Sequence, residues 1–181
     1  MQSLIERIRS VFLEMGFSEI EGDYVQSAGW NMDSLFIPQS HPARTMQDTV
    51  YLNQPRKVEV NEEYLDLWSR VHEHGHDTGS KGWGGSFDKE ESQRALLRTH
   101  TTVNTVRHIA DNPHTPSRVF GIGRVFRQET IDRTHMPEFL DLALEGGNRF
   151  LKIQKMSHDS LSILVAAKYA LRRGTASSAA V

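Results

Sequence analysis

The chain has no cysteine. That excludes a disulfide framework, a thiolate nucleophile and a thiolate metal site, and it fits a cytoplasmic protein. A charge excess of one sign is also missing. Lys and Arg number 21 against 23 Asp and Glu, leaving a net charge of −2. This argues against a surface built to coat nucleic acid, though not against a local basic site. Long apolar runs are absent too. The most apolar stretch, residues 161–167, is about two turns of helix and far short of a membrane span. The opening MQSLIERIRS carries charges where a signal peptide needs an apolar run, so no leader is expected. No internal repeat and no interdomain linker stand out. What is present is ordinary for a globular domain: 181 residues, 38% apolar and 24% charged, enough for one domain with a real core.

Ser3-Leu-Ile-Glu6 reads as a capping box, in which serine and glutamate satisfy free amides at a helix start. Leu4, Ile5, Ile8, Val11, Phe12 and Met15 follow at helical spacing, and Gly16 stops the helix. Residues 17–25 look extended, 38–46 form a loop rich in breakers, and 48–52 read as a strand. Asn61 caps a second helix with Tyr64, Leu65, Trp68 and Val71 on one face, ending near Gly75. Residues 77–88 are a Gly-rich loop expected to be mobile, in which Trp83 reads as a pin rather than a ligand-covering lid. A short strand at 95–98 precedes a helix at 102–110. A long strand at 118–130 is answered by a returning strand at 137–144, and a last helix is expected at 157–173. Arg172 and Arg173 suit its C-terminus through the helix dipole. Mixed elements without regular alternation, with antiparallel central strands, give an α+β fold.

The richest chemistry lies in FRQETIDRTHMPEF, residues 126–139. Alternation puts Val119, Gly121, Gly123, Val125, Arg127 and Glu129 on one strand face. Two glycines there predict an open groove that a ligand or backbone could enter. A guanidinium suits a phosphate, and a carboxylate can accept from an amine such as the adenine amino group. Arg133 and His135 follow in a loop, within reach of outlying phosphates. The plainer alternative is that Arg127 and Glu129 merely pair across a solvated face.

GRVFRQETIDRTHMPEF resembles motif 2 of the class II aminoacyl-tRNA synthetases, in the form of the phenylalanyl-tRNA synthetase α subunits. MGFSEIEGDYVQSAGWNMDSLFIPQ resembles the motif 1 region of that group. HPARTMQDTVYL and LLRTHTT resemble two further segments of it, in the same order. The resemblance runs over about residues 3–139 and favours the archaeal and eukaryotic branch. It implies an antiparallel sheet flanked by helices, incomplete at the C-terminus. It implies ATP-dependent activation of phenylalanine and transfer to tRNA(Phe), with ATP as substrate, Mg²⁺ bridging phosphates, and a β subunit as partner in a heterotetramer. Carried over by position, Arg127 would hold the α-phosphate, Glu129 the adenine amino group, and His135 the outer phosphates. His100 and Thr102 would lie around the amino acid's ammonium and carboxylate, and Gln47 at the pocket mouth. On their own residues, His100 reads equally as a satisfied buried histidine, Thr102 as a helix cap and Gln47 as solvated.

The chain departs from this pattern at two places. Asp23 stands where motif 1 usually has proline. After Phe139 the group continues His-Gln, a hydrophobic residue, then Glu-Gly, whereas this chain reads LDLALEG. Glu145 matches the substrate-binding glutamate only if the register shifts by two residues, and the glutamine has no counterpart, although the Asp141 carboxylate could take a cation. Past Gly146 neither the aromatic pocket wall nor motif 3 is recognisable. Residues 1–146 are therefore expected to be a partial catalytic core, and 147–181 an unrecognised C-terminal helix and tail. A fragment or shortened form of this kind is not expected to charge tRNA alone. Two rivals are a non-catalytic paralogue acting as a binding or assembly module, and a sister class II enzyme activating phosphoserine. HEHGH, with His72, His74 and His76, is not expected to bind metal. The helix ends there, and no carboxylate or cysteine completes a ligand set.

Overall fold

A computed structural model describes residues 2–44, 49–113, 117–128, 133, 136–146 and 149–153; for 145, 146 and 149–153 only the backbone is described. In chain order the elements are α1 (Gln2–Glu14), β1 (Ser18–Glu19), β2 (Val25–Ser27), α2 (Ala28–Asn31), α3 (Glu62–His74), α4 (Lys89–Ser92), β3 (Ala95–Leu97), α5 (Thr102–Asp111), β4 (Arg118–Phe126), β5 (Glu138–Gly146) and β6 (Arg149–Ile153). Single 3-10 turns lie at Asp33–Leu35 and Pro42–Arg44. The main sheet has the order β1-β4-β5-β6, and β2 pairs with β3 in a small second sheet. The class is α+β, as expected. The pairings are antiparallel except that β1 runs parallel to β4.

Period-2 alternation divides the β4–β5 hairpin into two faces. One carries Phe120, Leu142 and Leu144, which pack with Ile8, Phe12 and Phe17. Phe12 lies 5.1 Å from Phe120 and 5.8 Å from Phe17, ring to ring. Helix α5 packs against the hairpin too, through contacts to both strands. Behind α5, Trp30, Leu65, Trp68 and Val103 form a second cluster, and Ala28, Met32 and Leu96 a third.

Helix α3 follows its sequence signals. The Asn61 side chain accepts from Glu63 N at 3.0 Å, and Gly75 ends the helix in the left-handed region at φ 75°. A Cβ on Gly75 would also stand 1.9 Å from Ser80 O, so glycine is required there twice over. Trp83 pins the loop that follows. It stacks on Phe36 at 5.0 Å, donates from Nε1 to Phe36 O at 3.2 Å, and its backbone N donates to His72 O at 2.6 Å.

Several expectations need correction. Helix α1 begins at Gln2, so Ser3 lies inside the first turn and is no N-cap. The extended stretch at 17–25 is two short strands. In place of a strand at 48–52 there is a single bridge, Tyr51↔Leu96, because only isolated bonds such as Leu52 N to Ala95 O at 2.9 Å form. Strand β4 stops at Phe126, short of Thr130, although Arg127 N still donates to Pro137 O at 2.9 Å. The sheet does not end at Gly146. Strand β6 pairs with β5 from Gly146↔Arg149 to Leu142↔Ile153, so residues 149–153 belong to the same sheet. The helix expected at 157–173 lies outside the described residues.

The histidines of HEHGH point to different surroundings. His72 is buried edge-on against Phe87 at 5.3 Å, while the side chain of His74 is 79% exposed. Among the described residues no three His, Asp or Glu side chains group as metal ligands.

Two predictions follow from packing and burial. Phe12→Ala should cost about 3–5 kcal/mol in denaturant unfolding, as for a buried aromatic with little room to collapse. Burial lowers the pKa of His72, against an opposing pull from Asp33. A lowered folded-state value gives stability above the unfolded histidine value, near 6.5, that is lost as pH falls through it. The stability of the unaltered chain relative to His72→Gln should therefore shrink between pH 7 and 5; a pH-independent difference would refute the assignment.

Candidate functional site

The end of β4 is where the expected residues converge. Arg127 follows the strand, with its guanidinium carbon 5.2 Å from the centre of the Phe139 ring. Val125 pairs with Phe139 in the ladder, so alternation puts Arg127 on the Gly123 and Val125 face. Phe126 N donates to Arg98 O at 2.9 Å, which brings the turn after β3 alongside this strand end. That turn carries His100 and leads into Thr102, the first residue of α5.

The predicted groove over the glycines is filled. A Cβ on Gly123 would lie 2.2 Å from Arg98 Nη2, and one on Gly121 would lie 3.2 Å from Ile20 O. The missing side chains admit the protein's own arginine and backbone. Arg98, 3% exposed, donates from Nε to Arg124 O and from Nη1 to Gly22 O, both at 2.8 Å, and lies 4.8 Å from the Tyr24 ring centre. Burial lowers its pKa, opposed by Tyr24, Asp141, Asp23 and Glu21. A guanidinium starts so high that it stays charged.

Every residue of the 98–101 turn is tethered, Thr99 and His100 both by Asn31. Asn31 Oδ1 accepts from Thr99 N at 3.2 Å, and Asn31 Nδ2 donates to Thr99 Oγ1 at 2.9 Å. His100 is buried and donates from Nε2 to Asn31 O at 2.9 Å. Asp141 Oδ2 accepts from Thr101 N at 2.7 Å and from Thr101 Oγ1 at 2.9 Å. A carboxylate at that helix start also suits the α5 dipole.

The HPAR segment is anchored by a buried ion pair. Arg44 Nη2 contacts Asp33 Oδ1 at 2.5 Å, and the two side chains are 1% and 2% exposed. Arg44 also donates to the Pro38 and Ile37 carbonyls, and Ser92 Oγ donates to Asp33 Oδ2 at 2.8 Å. Burial raises the Asp33 pKa despite Arg44. Thr49 Oγ1 donates to Ala43 O at 2.9 Å, closing the neck of the segment. Gln47 itself, like Glu129 and His135, lies outside the described residues.

Of the remaining candidates, His100, Thr102 and Arg127 share one region, and Glu145 does not. The β4–β5 ladder is continuous from Phe126↔Glu138 to Arg118↔Gly146. In it Glu145 stands opposite Val119. That is eight residues from Arg127 along the strand, roughly 27 Å at the usual rise. Sequence reasoning passed over Arg98 and the bonding role of Asp141. Arg98 had a signal, a strand-end cation facing glycines, whereas the tie of Asp141 to Thr101 left none in the local sequence. A cleft of about 360 Å³ opens nearby between the β1–β2 connection and α5, lined by Glu21, Asp23, Gln26, Asn104 and Arg107 among others.

Comparison with known proteins identifies the class. Residues 1–164 match the family "tRNA synthetases class II core domain (F)", and the chain belongs to it. Within that class it is similar to proteins named phenylalanine–tRNA ligase alpha subunit. The relative from Archaeoglobus fulgidus is 52% identical over 138 residues, covering 76% of this chain and 29% of the relative. That from Methanopyrus kandleri is 48% identical over 140 residues, 77% and 27%. That from Methanospirillum hungatei is 46% identical over 144 residues, 78% and 29%. The chain thus spans under a third of the length of these relatives. Among solved structures, pyrrolysyl-tRNA synthetase from Desulfitobacterium hafniense aligns with a TM-score of 0.48 at 16% identity, over 79% of this chain and 37% of that one.

Gly123→Ala tests the filled groove. Its methyl would collide with Arg98 and should cost about 1–3 kcal/mol in thermal or denaturant unfolding, as for an overpacked site. Unchanged stability would mean that Arg98 is not held over Gly123.

Proposed function

We propose that the chain is catalytic machinery of a phenylalanine–tRNA ligase α subunit. As part of that enzyme it serves to activate phenylalanine with ATP and to deliver the acyl group to tRNA(Phe), and alone it is not expected to charge tRNA. The observation that supports this best is the bond from Phe126 N to Arg98 O, which sets the turn carrying His100 and leading into Thr102 beside the strand end that Arg127 follows, in a chain 52% identical over 138 residues to a protein of that name. In the first step the amino-acid carboxylate attacks the α-phosphorus, and pyrophosphate leaves. Arg127 holds the α-phosphate and offsets the charge that builds there. Glu129 accepts from the adenine amino group, and His135 meets the outer phosphates. His100 and Thr102 orient the ammonium and carboxylate, and Gln47 stands at the pocket mouth. Positioning and electrostatics supply the catalysis, with no protein nucleophile. We leave Glu145 out of this group because the ladder puts it at the other end of β4.

Magnesium bound to the phosphates would neutralise charge while keeping several waters. Asp141 is committed to Thr101, and Glu138, opposite Phe126 at the strand end, is paired with Arg124. We assign the ion no protein ligand and no step. A β subunit is the expected partner, and the cytoplasm, where tRNA is charged, the expected location. Among the described residues no helix is long and apolar enough to cross a membrane.

Calorimetry tests the nucleotide assignment. Arg127→Ala should weaken ATP binding by about 1.5–3 kcal/mol, the value of a charged hydrogen bond. Undiminished affinity in a folded variant would rule the role out, and no ATP binding by the unaltered chain would favour the non-catalytic rival.

A further inference from the structure

Four consecutive residues, Arg98 to Thr101, are fixed from three parts of the fold. Arg98 reaches the β1–β2 connection and β4, Thr99 and His100 reach α2, and Thr101 reaches β5. The last tie is unusual in its chemistry. Asp141 is 5% exposed and lies opposite Gly123 in the ladder, on the face where Arg98 fills the glycine gap. Its carboxylate spends one oxygen on both the amide and the hydroxyl of Thr101. Thr101 is the N-cap of α5, and its own side chain makes no cap hydrogen bond within the helix. The cap is supplied across the fold, by β5.

We propose that Asp141 and Arg98 are positioning residues that set His100 and Thr102 at a fixed place relative to Arg127. Asp141 holds the helix end of the turn and Arg98 the strand end. Asp141 acts from β5, and Arg98, at the end of β3, is bonded to β4 at Arg124 O and Phe126 N, so both ties end on the β4–β5 hairpin that also presents Arg127. The hairpin is thereby a common reference for the amino-acid side and the nucleotide side of the reaction. Neither residue touches substrate. The functional half of this inference rests on the activation reading above.

The test measures phenylalanine and ATP binding separately by calorimetry, together with backbone amide exchange, on the chain as it stands. Asp141→Asn removes the charge and one acceptor. It should weaken phenylalanine binding about tenfold and leave ATP binding within about twofold. Because loss of a buried carboxylate can unfold the chain, Thr101→Val is the gentler variant. It keeps the amide bond to Asp141 and loses the hydroxyl bond. Phenylalanine affinity should fall about fivefold, near the value of one net hydrogen bond, with ATP affinity again held. Thr101→Ser keeps both bonds and should restore normal binding. Amides 99–103 should exchange about tenfold faster in Thr101→Val, with β4 and β5 amides unchanged. Equal loss of both ligands, or unchanged phenylalanine affinity and exchange in folded Thr101→Val, would overturn the proposal. If the unaltered chain binds ATP but not phenylalanine, the activation reading fails on its own. Amide exchange then decides whether the bracket exists, and unchanged exchange removes it as well.

Discussion

Arg98 carries a positive charge into the interior, and such a charge is costly unless every donor finds a partner. The carbonyls of Gly22 and Arg124 and the face of Tyr24 provide partners, and Asp141 lowers the cost electrostatically. A planar guanidinium can span two carbonyls at fixed angles, which a lysine ammonium cannot. Gly22 belongs to the β1–β2 connection, Arg124 to β4, and Arg98 itself leaves β3. One side chain therefore ties the small sheet to the large one. The bond from Phe126 N to Arg98 O then refers the end of β4 to the same residue. Without Gly123 the arrangement could not exist, since a Cβ would occupy the space of the guanidinium.

Polar and apolar interiors are divided in this fold. The apolar clusters lie under α1, between α2, α3 and α5, and beneath β3. Around the 98–101 turn and the HPAR segment the buried groups are polar instead: Asn31, Asp33, Arg44, Ser92, His100, Thr101 and Asp141. Buried polar networks of this kind add little net stability but fix geometry when their members are satisfied. Some are not. Among the described residues Arg44 Nη1, Tyr51 Oη, Asn104 Oδ1 and Thr105 Oγ1 have no hydrogen-bond partner. Stability is drawn from the clusters, and definition of the site from the networks.

How much of this was legible depended on whether a signal was local. Helix α3 was, because Asn61 and Gly75 act on their own helix ends. The pinning role of Trp83 was also legible, from the glycines around it. The β4–β5 hairpin was found through alternation, but its glycine face was misjudged. Alternation says where a side chain is missing, not which distant residue fills the gap. The short strand at 48–52 failed because pairing needs a neighbour with matching length, and β3 offers three residues. Strand β6 was missed although Gly147-Asn148 is a two-residue hairpin signal, with alternation on both sides. Arg127, His100 and Thr102 were named from the resemblance and do share one region, but the Asp141–Thr101 contact spans 40 positions and no local pattern encodes it.

Gly29 gives the fold a lever. Trp68 presses directly on the α2 backbone there, so close that a Cβ would meet its ring at 2.3 Å. Two residues further on, Asn31 holds both Thr99 and His100. The wall between the aromatic cluster and the polar turn is thus a single thickness of main chain. Any change in the bulk or tilt of the indole is passed to the imidazole through a rigid four-residue helix, with no soft side chain between to absorb it. The fine placement of His100 can therefore be retuned from inside the oily part of the molecule, by residues that never approach a ligand.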